Sequence, residues 1–199
     1  MNVQRSGDPL LVQDIIERIQ SSPRRAIAFK EYMKLCLYHP LHGYYRTERP
    51  KIGIQGDFYT SSFVGSVMGE MLAVCFLQHA DPDSGELWNL VEWGGGTGRL
   101  ARQILDEIRR LSPERYSRLQ YVLIESSPYH RSLQAAELRQ HKERIRFLSE
   151  EEWFEGSMAK AVLFSNELLD AFPVERIVFS KKNMAGNLCG VGCREAVFL

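Results

Sequence analysis

The sequence predicts an α/β fold in which a helical N-terminal segment leads into a doubly wound parallel sheet that is incomplete at its C-terminal end. Two observations carry this. From residue 86 onward short apolar runs alternate with amphipathic stretches, the rhythm of a parallel sheet with right-handed crossovers. The glycine cluster "GGGTG" (94–98) stands between the first such run and the first such stretch, where a parallel sheet meets its ligand. The chain is expected to divide into N-terminal helices with a loop over residues 1–80 and the sheet domain over 81–199.

The elements follow in order. "DPLLVQDIIERIQ" offers Asp8 as a cap, Pro9 at the first helical position, and Leu11, Ile15, Ile16 and Ile19 on one face. A second helix is predicted over 28–37, with Phe29, Tyr32, Met33, Cys36 and Leu37 apolar. "YHPLHGYYRTERPKIGIQGDFYTS" then reads as a long loop, and its Tyr38, Tyr44, Tyr45, Phe58 and Tyr59 favour an ordered, functional one. A helix over 63–79 carries Val64, Val67, Met68, Met71, Leu72, Cys75 and Phe76 as its stripe. "LWNLVEW", "YVLIE", "RIRFL" and "AVLFS" are the predicted strands, and "RLARQILDEIRRL" and "PYHRSLQAAELRQH" the helices between the first three. "ERIVFSKKNMAGNLCGVGCREAVFL" is expected to hold one or two strands around a Gly/Asn turn. Four strands are few for a doubly wound domain, so the chain is expected to be the N-terminal part of a longer sheet.

Bulk properties narrow the function. The chain has 199 residues, 44% hydrophobic and 25% charged, enough for a sizeable core. Lys+Arg and Asp+Glu number 25 each, which argues against nucleic acid or an anionic membrane as partner. There is no long apolar run and no signal-type or Arg-rich leader, so a cytoplasmic location is expected. Of four cysteines, Cys36 and Cys75 read as buried thiols, and Cys189 with Cys193 lacks a second pair for zinc. His39 and His42 read as hydrogen-bonded loop histidines rather than metal ligands, and no metal is expected.

The glycine loop discriminates among ligands. No lysine follows it, so it is not a phosphate-binding P-loop. The dinucleotide fingerprint fits only when shifted to Gly96, Gly98 and Ala101. The pattern acid-x-G-x-G-x-G fits without adjustment at Glu92, Gly94, Gly96 and Gly98, and it is the nucleotide-loop pattern of Rossmann-like methyltransferases. A pyrophosphate prefers helix amides with no anion nearby. S-adenosyl-L-methionine has no phosphate and carries an ammonium and a sulfonium, so a carboxylate at a strand end attracts it. Glu125, closing the second strand, suits ribose hydroxyls in either a methyltransferase or a NAD enzyme. "FLSEEEW" offers Ser149 or Glu150 toward an adenine, and "SNELLDAFPV" clusters Asn166 with Glu167 and Asp170, whose two carboxylates are able to hold a guanidinium.

"FKEYMKLCLYHPLHGYY", "IGIQGDFYTS", "VEWGGGTGRLARQIL", "YVLIESSPYHRSLQ" and "SNELLDAFPVERIV", in this order over roughly residues 27–179, resemble the MidA-like methyltransferases. That family includes the mitochondrial complex I assembly arginine methyltransferase and bacterial relatives. The resemblance implies a Rossmann-like class I methyltransferase sheet, S-adenosyl-L-methionine as cofactor and a protein substrate, with arginine as acceptor. By motif it places Glu92, Gly94, Gly96, Gly98 and Glu125 on cofactor positions, and Ser126 and Glu150 are expected to bind the cofactor beside them. Asp57, Thr60 and Ser61 fall on a loop that closes over the cofactor. Asn166, Glu167 and Asp170 fall on the acceptor side. The alternative is a non-catalytic assembly or interaction module that keeps the methyltransferase framework. The chain departs from the family in "WGGGTG", where a bulkier L-G-P-G-x-G is usual, and in "SFVGSVMGE" after "TS".

Overall fold

A computed structural model of the chain describes residues 8–47, 65–79, 87–156 and 161–176. It separates into two compact units, Met1–Thr47 with Leu169–Leu199, and Glu48–Leu168. The predicted strands beyond residue 176, Cys189 and Cys193 lie outside the described residues.

In the first unit, helix α1 (Pro9–Ser21) starts where Asp8 accepts a hydrogen bond from the Leu10 N–H at 2.9 Å, with Pro9 at the first turn. Helix α2 (Phe29–Tyr38) packs against it through a small core of Leu11, Ile27 and Leu35, with Ile15 and Ile19 alongside. Ile16 and Tyr32, expected on the apolar faces, are exposed, and Leu35 takes the buried place. After α2 the chain folds back: Tyr44 and Tyr45 N–H donate to the carbonyls of Cys36 and Leu37. Tyr38 stacks on Tyr45 at 5.4 Å and donates to the Ala171 carbonyl at 3.1 Å. His39 Nδ1 lies within bonding distance of the Leu41 and His42 N–H groups, and His42 Nδ1 meets Asp8 at 2.7 Å.

The second unit holds a four-stranded, wholly parallel sheet of β1 (Trp88–Trp93), β2 (Leu119–Ile124), β3 (Ile145–Leu148) and β4 (Ala161–Ser165) in the order β3-β2-β1-β4. β1 and β2 bury apolar side chains on both faces, as central parallel strands do. Leu90, Tyr121 and Leu123 face a core built with α3 (Val67–His79) and α4 (Arg99–Leu111), while Val91, Val122 and Ile124 face Leu148, Trp93 and Trp153. α4 buries Leu100, Ile104, Leu105 and Ile108 as the periodicity predicts, but its terminal Leu111 is partly exposed.

α3 turns only part of its expected stripe inward: Met68, Leu72 and Phe76 pack into the core. Gly69, Ala73 and Phe76 are buried, while Val67, Met71 and Cys75 are exposed. The helix is apolar nearly all round, so periodicity could not choose a face. Closeness chose it: a Cβ on Gly69 would stand 2.4 Å from the Gln103 Cβ of α4. Helix α5 (Pro113–Ser117) follows α4, α6 (Pro128–Glu137) joins β2 to a 3-10 turn (Arg139–Arg144) and β3, and α7 (Glu150–Glu155) follows β3. The buried His141 bonds Tyr116 Oη at 2.7 Å and Asp106 at 3.2 Å, fastening that turn to α5 and α4.

Candidate functional site

The strands end at one level. Trp93 pairs with Ile124 on one side and Ser165 on the other, and Ile124 pairs with Leu148. Gly94, Glu125, Ser149 and Asn166 therefore leave the sheet together at its C-terminal edge. β2 and β4 flank β1 on opposite sides, so the chain switches direction there, the place where open parallel sheets bind ligands.

Gly94, Gly96 and Gly98 all have left-handed backbone, with φ of 77°, 54° and 84°. Two of them also admit close neighbours. A Cβ on Gly94 would lie 2.7 Å from Leu168 Cδ1, and one on Gly98 would lie 3.1 Å from the Cα of Gln134. The loop is thus clasped by the segment leaving β4 and by α6.

Glu92, only 2% exposed, turns its carboxylate beneath this loop, where it accepts a hydrogen bond from Tyr121 Oη at 2.8 Å. A Cβ on Gly95 would come 3.1 Å from its Oε2. Burial lifts its pKa to about 7; the Tyr121 bond works against this and the charge of Glu125 adds to it. The expected strand-end acid is present, but it lies under the loop.

Glu125 sits at the mouth of the edge, its side chain 10% exposed. Its Oε1 accepts from the Ser127 N–H at 2.8 Å, and Oε2 lies 3.4 Å from Gln134 Nε2 and 4.0 Å from His130 Nδ1. Burial raises its pKa; the N–H groups of Ser127 and Ser126, the Gln134 amide and the Arg131 guanidinium pull it back. Arg131 also donates to the Glu125 carbonyl at 2.7 Å. A carboxylate held this way at a strand end, beside left-handed glycines, fits the two hydroxyls of a ribose.

The remaining candidates separate. Glu150 opens α7 directly after β3, half-buried. Its neighbour Ser149 forms a capping box with Glu152, with bonds of 3.1 Å and 2.6 Å, so that hydroxyl is committed to the helix. Asn166 is half-buried and Glu167 exposed just past β4. Glu167 has a φ of 49°, a left-handed conformation that a residue with a side chain adopts only at a cost. Asp170 falls in the other unit, where its charge helps hold the Tyr45 phenol above its usual pKa, behind the larger effect of burial. Asp57, Thr60 and Ser61 lie outside the described residues. Among the described residues no group of three or more His, Cys, Asp or Glu side chains could hold a metal ion.

Tyr121, Gln134 and Leu168 belong to this site and escape sequence reasoning, because each reads as an ordinary strand or helix residue. The capping box did carry a sequence signal, Ser149 followed three residues later by Glu152, which announces α7.

Residues 67–196 match the family described as "Putative S-adenosyl-L-methionine-dependent methyltransferase". The chain belongs to this family. Its membership agrees with the resemblance to MidA-like methyltransferases carried by the motifs. The mitochondrial protein arginine methyltransferase NDUFAF7 homolog of Caenorhabditis elegans is 32% identical over 102 residues, covering 49% of this chain and 24% of that protein. NDUFAF7 of Bos taurus is 34% identical over 96 residues, covering 48% and 21%. A Burkholderia thailandensis crystal structure, described as a "likely methyl transferase" bound to S-adenosyl-homocysteine, superposes with a TM-score of 0.66 at 26% identity. It covers 82% of this chain and 42% of that one. The chain thus matches about a quarter of the length of these curated relatives. Their names correct one expectation: they are mitochondrial proteins, which overturns the cytoplasmic location expected from the lack of a long apolar run and a recognisable leader. Among the described residues, no helix is long and apolar enough to cross a membrane.

Proposed function

We propose that the chain binds S-adenosyl-L-methionine at the C-terminal edge of its sheet and serves methyl transfer to a protein arginine. The observation that carries this reading is the level placement of a left-handed glycine loop after β1 and a nearly buried Glu125 after β2. Family membership and the S-adenosyl-homocysteine in the Burkholderia structure support the donor. The names of the curated relatives support arginine.

When bound, the donor supplies an electrophilic methyl carbon on a sulfonium. The residues of this chain bind and orient. Glu125 accepts the ribose hydroxyls, with Ser126 beside it. Gly94, Gly96 and Gly98 let the backbone approach the methionine end, and Glu92 places a carboxyl beneath it. Glu150 faces the adenine side, and the family motif carries Asp57, Thr60 and Ser61 over as further cofactor-binding residues. On the acceptor side Asn166 and Glu167, just past β4, hold the guanidinium by hydrogen bonds, charge-assisted at Glu167, and aim its nitrogen in line.

Calorimetric titration with S-adenosyl-homocysteine tests the first link. Binding is expected, with loss in Glu125→Ala; an equal isotherm for both proteins would remove the site. Transfer of labelled methyl to lysate protein, recovered as methylarginine after hydrolysis and abolished by Glu167→Ala, tests the second. Binding without transfer would leave a framework that no longer catalyses.

A further inference from the structure

Gln134 is the most buried polar side chain around the loop, fully inaccessible on α6. Its Nε2 donates to the Gly96 carbonyl at 3.0 Å and faces Glu125 Oε2 at 3.4 Å. Its Oε1 is buried with no hydrogen-bond partner among the described residues. A buried amide left half-satisfied is costly, and a methionine of similar shape would pack there without that cost. Turning the amide over would set oxygen against the Gly96 carbonyl and the Glu125 carboxylate, so the orientation is fixed by its donor. The α6 backbone adds contact, since Gly98 approaches the Gln134 Cα too closely for a side chain of its own.

We propose that Gln134 is a positioning residue for the nucleoside end of the cofactor: its amide ties the glycine loop to Glu125, so that loop and ribose acid hold one spacing. The inference rests on the cofactor reading above. The amide does two things. It fixes the distance between Gly96 and the carboxylate, and it donates toward a carboxylate that must be ionised to accept two hydroxyls. The other groups facing Glu125 are His130 and Arg131 of α6, the Ser126 and Ser127 N–H groups, and Glu92 of β1.

The test compares wild type, Gln134→Met and Gln134→Glu by calorimetry with S-adenosyl-homocysteine and its 2′-deoxy analogue between pH 5.5 and 8.5. Gln134→Met keeps the volume and removes the donor. It is expected to lose roughly tenfold in affinity for the ribose ligand, far less for the deoxy ligand, and to lose affinity on acidification from a higher pH than wild type. Gln134→Glu separates donation from packing. Its acid donates when protonated and repels the Gly96 carbonyl and Glu125 when ionised, so its affinity is expected to recover as the pH falls, opposite to Gln134→Met. A ligand ratio and pH profile unchanged in Gln134→Met overturn the proposal while leaving the cofactor reading intact. If Gln134→Met does not fold, a Gln134→Glu profile parallel to wild type overturns it alone. Wild type that binds neither ligand brings down both.

Discussion

Glu92→Gln should change how the stability of the protein depends on pH. The Glu92 carboxyl is 2% exposed and its pKa stands at about 7, against 4.5 for an ordinary glutamate. Between those values the folded chain holds a proton that the unfolded chain has released. Stability therefore falls as the pH rises through that window. The gap corresponds to about 3 kcal/mol, fully expressed above pH 7 and absent below pH 4.5. Glutamine does not ionise. Its oxygen can still accept from Tyr121, and any penalty for its unpaired N–H groups is the same at every pH. The measurement is urea denaturation of both proteins at pH 5 and pH 8. The variant is expected to gain roughly 2–3 kcal/mol on wild type between the two, whatever its absolute stability. Glu125 is raised in the same direction and stays in both proteins, while its repulsion of an ionised Glu92 is lost with Glu92. Curves for wild type and variant that stay parallel across this range would refute the reasoning, because they would mean that Glu92 ionises freely beneath the loop.

Gly98→Ala should destabilise the fold by roughly 2 kcal/mol or more in urea, since a φ of 84° disfavours a side chain and the new Cβ meets the α6 backbone at 3.1 Å. Gly69→Val should push α3 from α4 and lower the thermal midpoint by several degrees in a calorimetric scan, about 1–3 kcal/mol of overpacking; an unchanged midpoint would show that the crossing has slack. Ser149→Ala should cost about 1 kcal/mol of stability through loss of its cap while leaving S-adenosyl-homocysteine affinity unchanged. Glu150→Ala should do the reverse, and a variant of Glu150 that binds as wild type does removes it from the adenine side.

The sheet was readable in the sequence because its strands announce themselves twice, by apolar runs and by the turn chemistry between them. All four strands lie within two residues of their predicted bounds. Glu92 and Glu125 were legible as acids at strand ends, but not their different fates. Which acid lies under the loop depends on Tyr121, a residue from the neighbouring strand that no local pattern connects to it. α3 was legible only in part: Met68, Leu72 and Phe76 face the core as expected, but an all-apolar helix carries little periodic signal, and the centre of its inward face is set by two small residues, Gly69 and Ala73, that let α4 come near. Gln134 was hidden because its importance lies in what it bridges across the chain.

The Glu92–Tyr121 bond also answers a question about alignment. Strands that bury apolar side chains on both faces have little inside-outside alternation to tell β1 how far to slide along β2. A slip of one residue would move Gly94 about 3.3 Å from its level beside Glu125 while costing little in greasy contact. It would also turn the Glu92 carboxyl to the other face, away from the one hydroxyl that meets it. Here Leu90 pairs with Tyr121 and Glu92 stands diagonally above it on the same face. This buried polar pair thus acts as a key that fits one register, and the geometry of the edge above it is measured from that key.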